Sequence, residues 1–150
     1  MAKAEVGLAE EPESLGFGGR LSPEALAELR AAYLSGVRQD LVALEGLVED
    51  LEQGRRSWPD SLFRLREVVH NIKGQGTSFG FPLMTEIGES LHRLLQLSPG
   101  DASAGTKAVI AAHVACLRRV IDAGVEGEGG PKARLLLERL QALTQRATRS

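Results

Sequence analysis

The sequence is poor in aromatic residues, in cysteine and in excess charge of either sign, and each shortage removes a class of protein. Aromatics make up 4% of the 150 residues against 43% hydrophobic overall, so the core must be built from Leu, Val, Ile and Ala. That palette suits helices packed on helices. The single cysteine, Cys116, forms no intramolecular disulfide and lacks the paired spacing of a zinc site. Lys and Arg number 18 against 20 for Asp and Glu, a net charge of -2. A nucleic-acid partner is therefore not expected, because such binders carry a basic patch. No apolar run approaches the roughly 18 residues of a transmembrane helix, so no membrane partner is expected either. The stretch from Met1 to Arg20 is acidic and Gly-rich, without the apolar segment of a secretory signal. The expected compartment is the cytoplasm.

What remains is a chain with helical periodicity almost throughout. Residues 1–21 show no period and read as a flexible N-terminal tail ahead of a bundle domain over 22–147. Met1 and the basic end Gln145 to Ser150 read as natural termini. Ser22-Pro23-Glu24 has the form of a helix start, with Ser22 as cap and Pro23 in the first turn. Leu26, Leu29, Tyr33, Val37, Leu41, Leu44, Val48 and Leu51 then recur at steps of three and four, one stripe on a helix ending near Gly54. Ser57-Trp58-Pro59-Asp60 opens a second helix whose inward face is Leu62, Leu65, Val69 and Ile72, its end blurred by Gly74, Gly76 and Gly80. Pro82 begins a third, with Leu83, Ile87, Leu91 and Leu94 on one side, running to Leu97. Ser98-Pro99-Gly100-Asp101 is a turn. A fourth helix carries Val109, Ile110, Val114, Leu117, Val120 and Ile121, and Pro131 starts a fifth through Leu135, Leu136, Leu140 and Leu143. The pattern predicts an all-α fold: an antiparallel up-down bundle of five helices, with the second to fifth forming a four-helix core. Tyr33 and Trp58 are expected in that core, and His113 is expected to be structural.

The chemistry concentrates in Val68-Val69-His70-Asn71-Ile72-Lys73-Gly74-Gln75-Gly76-Thr77-Ser78-Phe79-Gly80-Phe81. At about 100° per residue, His70 falls well over 90° from the centre of the buried stripe, on the solvent side. Gly74 shares its face one turn later, and Lys73 is displaced by about 60°. An exposed imidazole is a nucleophile near neutral pH. A lysine one turn away offsets charge on phosphoryl oxygens, and phosphoryl transfer relies mainly on positioning and electrostatics. Glycine at 74 clears side-chain bulk beside the ring at a cost of up to about 1 kcal/mol to the helix, so it points to access by a second protein. Gly74 and Gly76 have, as an alternative, the plainer reading of a helix C-terminus.

These residues resemble a known signature. His-x-x-Lys-Gly followed by Phe-Gly is similar to the motif of histidine-containing phosphotransfer (HPt) domains. The longer run from His70 to Phe81 resembles the phosphoacceptor domain of chemotaxis-type histidine kinases. The motif covers about residues 66–97, and the helical pattern extends over roughly 23–146. The resemblance implies that His70 is phosphorylated, that Lys73 holds the phosphoryl group, and that Gly74 leaves room for a receiver domain. Phe79 and Gly80 would end the helix and pack the turn. In the chemotaxis-type domains the third helix supplies a His and a Glu near the ring, the Glu accepting its other proton. Here those positions are held by Glu89 and His92, in reversed order, so either Glu89 reaches His70 and raises the ring's basicity or His70 works with Lys73 alone. The implied function is a phosphocarrier exchanging a phosphoryl group with a receiver aspartate, supplied by a histidine kinase or a receiver. It would have no nucleotide site and no cofactor of its own, the Mg²⁺ belonging to the partner receiver. It would work as a monomer, docking through an apolar rim that includes Phe63, Phe81 and Met84.

Other readings compete. The chain reads alternatively as the phosphoacceptor domain of a larger chemotaxis-type kinase, or as a helical adaptor without phosphate chemistry. Zinc at His70, His92 and His113 fails for want of close ligand spacing. Gly74 to Gly80 fails as a dinucleotide loop because its spacing is wrong and it follows a helix, and no phosphate-binding Gly-x-x-x-x-Gly-Lys-Ser/Thr loop exists.

Overall fold

Among the described residues five helices follow from the capping and periodicity signals: α1 (Pro23–Glu52), α2 (Trp58–Gln75), α3 (Pro82–Leu97), α4 (Ala104–Ala123) and α5 (Gly130–Arg149). A short 3-10 turn, Thr77–Phe79, joins α2 to α3. The computed structural model describes residues 21–97 and 102–149, and among these there is no strand. The fold is all-α. The expected tail, Leu21 apart, and the expected turn at Ser98-Pro99-Gly100-Asp101 lie outside the described residues.

The chain divides into two units, Met1–Leu34 and Ser35–Ser150, with the boundary inside α1. In the first, Ser22 caps α1 as its sequence suggests, its Oγ accepting from the Ala25 N–H at 3.1 Å. Tyr33 is buried, but Leu26 and Leu29 are each 41% exposed, so the amphipathic stripe does not translate into burial at its start. In the second unit α1 buries Val37, Leu41, Leu44, Leu47 and Leu51. Leu47 is buried as well, while the expected Val48 is only half-buried.

Within Ser35–Ser150, α3 is the central helix: it packs against α2, α4 and α5, and α4 packs against α5. Its composition explains this. Leu83, Met84, Ile87, Leu91, Leu94 and Leu95 are all at most 2% exposed and share one apolar face about 120° wide, broad enough to meet several neighbours. Each such residue contributes about 1.5–3 kcal/mol through burial. On α5, Leu137 and Leu140 are buried, whereas Leu135 is 51% and Leu136 40% exposed, which corrects the sequence reading of that face. Arg118 of α4 ties in α1, donating from Nε and Nη2 to both carboxylate oxygens of Glu45 at 2.9 and 2.8 Å. The hydrogen-bonded guanidinium holds the Glu45 carboxyl below its usual range.

Two signals fix the ends of α2. Ser57 stands in extended backbone and accepts from the Asp60 N–H at 3.3 Å, with Pro59 in the first turn. At the other end the helix runs through Gly74 to Gln75, and the Gly76 carbonyl accepts from the N–H groups of Phe79 and Phe81 at 3.3 and 2.8 Å. Gly80 closes the turn at φ +88°, a left-handed conformation that favours glycine.

Three helices meet on a buried polar cluster. His113 of α4 is fully buried, and its Nδ1 lies 2.8 Å from the Val109 carbonyl one turn earlier. That carbonyl has only lone pairs to offer, so Nδ1 carries the proton and Nε2 accepts. Nε2 lies 2.9 Å from Ser90 Oγ on α3 and 3.2 Å from Thr144 Oγ1 on α5, and the two hydroxyls are 3.1 Å apart. His113 is structural, as expected, and burial pushes its pKa down.

Candidate functional site

The buried face of α2 is Trp58, Ser61, Leu65, Val68, Val69 and Ile72. The opposite face therefore carries Phe63, Arg66, His70 and Gly74, and all four are exposed. His70 projects from the middle of the helix, and among the described residues no group hydrogen-bonds its ring. Arg66, one turn earlier, anchors its guanidinium on the Leu95 carbonyl of α3 at 2.9 Å.

The two nearby glycines have different physical explanations. A Cβ at Gly76 would lie 2.7 Å from the Phe81 carbonyl oxygen and 2.7 Å from Thr85 Oγ1, so the turn requires its absence. Thr85 also accepts from the Thr77 N–H at 3.0 Å, drawing the end of α2 onto α3. Gly74 is required by nothing in the fold: a Cβ there meets no atom within 4 Å. Gly36 and Gly46 in α1 are equally open, but neither stands beside a nucleophile. We expect Gly74→Ala to stabilise the protein by up to about 1 kcal/mol, through helix propensity. Gly76→Ala should destabilise it by about 1–3 kcal/mol through overpacking. Urea melts of the two variants check the opposite signs.

Lys73 leans toward α3, and its Nζ donates to Glu89 Oε1 at 2.9 Å. A glycine that sequence reading overlooked permits this. A Cβ on Gly88 would stand 2.9 Å from Lys73 Cβ, so only glycine lets the two helices approach so closely at that level. Glu89 is 60% exposed at its side chain and Lys73 21%, and the lysine hydrogen bond draws the Glu89 carboxyl below its ordinary pKa. Glu89 makes no hydrogen bond to the His70 ring; its carboxylate is on Lys73 instead.

His92, one turn on from Glu89, lies within electrostatic reach of His70, Lys73 and Arg66. Burial is the main force lowering its pKa, with Lys73 adding to it and Glu89 opposing. Its Nδ1 is buried and finds no hydrogen-bond partner among the described residues. Of the expected docking rim, only Phe63 is presented, at 64% exposure. Phe81 at 2% and Met84 at 0% are core residues, because the turn after Gly76 folds the start of α3 inward.

The arrangement is an open nucleophile on a convex helix face, with cationic groups one turn to either side. Among the described residues no group of three or more His, Cys, Asp or Glu side chains is placed to hold a metal ion. No helix described is long and apolar enough to cross a membrane. No family model, no curated protein and no solved structure matches the chain.

Proposed function

We propose that this chain is a histidine phosphotransfer module that carries a phosphoryl group on His70 to and from the aspartate of a receiver domain. The observation that carries the reading is the exposed, unbonded His70 ring beside Gly74, whose missing side chain serves no packing purpose. Lys73 and Arg66 supply the positive charge that a phosphoryl group needs, and the resemblance of His70 to Phe81 to HPt domains agrees with that inventory.

In the forward step a ring nitrogen of His70 attacks the phosphorus of a receiver aspartyl phosphate. The N–P bond forms as the P–O bond to the aspartyl oxygen breaks, and the carboxylate leaves with that electron pair. Return transfer reverses both changes. Helix α2 supplies a rigid platform, and Gly74 admits the partner's backbone beside the ring. Mg²⁺ in the receiver belongs to the partner's half of the chemistry. A histidine kinase is the other donor, and a cytoplasmic monomer is the form in which this exchange operates.

The test is incubation of the purified protein with radiolabelled ATP, a histidine kinase and its receiver. Acid-labile, base-stable label that disappears in a His70→Gln variant supports the reading. Absence of label across several kinase and receiver pairs counts against it, and favours an adaptor without phosphate chemistry.

A further inference from the structure

We propose that Glu89 is a positioning residue that holds Lys73 in reserve, so that the lysine must leave it before it can serve a phosphoryl group on His70. This rests on the reading of His70 as a phosphoacceptor, and differs from the role of the glutamate in the chemotaxis-type domains, which is to orient the phosphorylated ring.

The argument begins with the stem of Lys73. Gly88 lets it lie against α3, where any larger residue would push it away. Its ammonium then meets Glu89 Oε1 at 2.9 Å. Lys73 is thus committed to α3, while its place on α2, three residues after His70, keeps the imidazole within its range. The other side of Glu89 is open. It lines a groove of about 520 Å³ between α3 and α5, along with Arg93 and Gln141, so water solvates it well. An ion pair so exposed is weak and readily exchanged. A phosphoryl group brings close to two negative charges against the single charge of Glu89, so Lys73 transfers to it. The carboxylate left behind is stabilised by solvent and by Arg93, whose charge already acts on it. Glu89 therefore withdraws charge from the site while His70 is empty, and slows uptake from anionic donors.

Phosphoramidate tests this without any identified partner. Its P–N bond breaks as a ring nitrogen of His70 bonds the phosphorus, and ammonia leaves with the electron pair. Initial rates of uptake are compared by ³¹P NMR for the wild type, Glu89→Gln, Lys73→Ala and the double variant. Glu89→Gln should accelerate uptake by about two- to fivefold, the range set by an exposed ion pair. The same change should have no effect once Lys73 is alanine. Acceleration that persists without Lys73 means direct repulsion between Glu89 and the donor, and overturns the proposal. So does an unchanged rate in Glu89→Gln, while labelling of the wild type leaves the phosphoacceptor reading intact. No uptake at His70 in any variant removes both together. Equal melting temperatures across the set show that the rates do not report a folding defect.

Discussion

Replacing His70 with glutamine should abolish phosphoryl uptake and leave the melting temperature within about 3 °C of the wild type. The two halves of this result come from one geometry. The ring is exposed and unbonded, so its loss removes no contact on which the folded state depends. Glutamine is a comparable helix former and keeps a polar tip in water, but its amide nitrogen has no free lone pair to attack phosphorus. Phosphoramidate labelling and calorimetry on the same preparation measure both effects. A fall of ten degrees or so would place the imidazole in the core and remove the basis for its chemistry.

The largest loss of stability outside the apolar core should come from His113. Replacing it with alanine leaves a cavity where α3, α4 and α5 meet and deprives the hydroxyls of Ser90 and Thr144 of their acceptor. The cost should be about 2–4 kcal/mol, from lost packing and unsatisfied polar groups. Chemical denaturation measures it, and a loss below about 0.5 kcal/mol would show the cluster to be dispensable. The same residue makes stability depend on pH. Burial lowers its folded-state pKa, while the unfolded chain titrates near the ordinary value of about 6.5. Below that value the unfolded chain binds the extra proton and the folded chain resists it, so stability falls as pH falls. Above it neither form is charged, and the contribution is level. Protonation would give His113 a second N–H aimed at Ser90 and Thr144, which are hydroxyls and offer no counter-charge. The slope below pH 6.5 should be reduced in His113→Leu, and an equal slope would assign it to the carboxylates.

Much of this architecture is legible in the sequence, and the parts that are not share a cause. Ser57 as cap and Pro82 as a start both appear where the sequence puts them, because such signals are local. The face of His70 follows from the period of α2 alone. By contrast, Phe81 and Met84 read as a docking rim and are core residues, since their burial depends on how the turn after Gly76 aims α3. Leu135 and Leu136 read as part of the apolar pattern, but Leu137 is the buried one, because the position of the neighbouring helix is not written in α5. The Lys73–Glu89 pair and the contact at Gly88 are likewise properties of two helices at once. A hint was present for Gly88: it is a glycine inside a strongly amphipathic helix, with no turn to explain it. Nothing comparable links Ser90, His113 and Thr144, which stand 23 and 31 residues apart from one to the next.

Helix α2 is capped by Ser57 at one end and locked by Gly76 onto α3 at the other. That leaves the azimuth of His70 to be set by counting alone. Five residues separate it from Gly76, and each one added or removed would turn the ring by about 100° relative to that lock. Substitution at the exposed positions Asn71, Gly74 and Gln75 leaves that azimuth unchanged, but a change in the length of the interval cannot be absorbed without turning the imidazole away from the face it now occupies. The segment from His70 to Gly76 should thus tolerate new side chains at its exposed positions far better than a new residue, and it should be rigid in number.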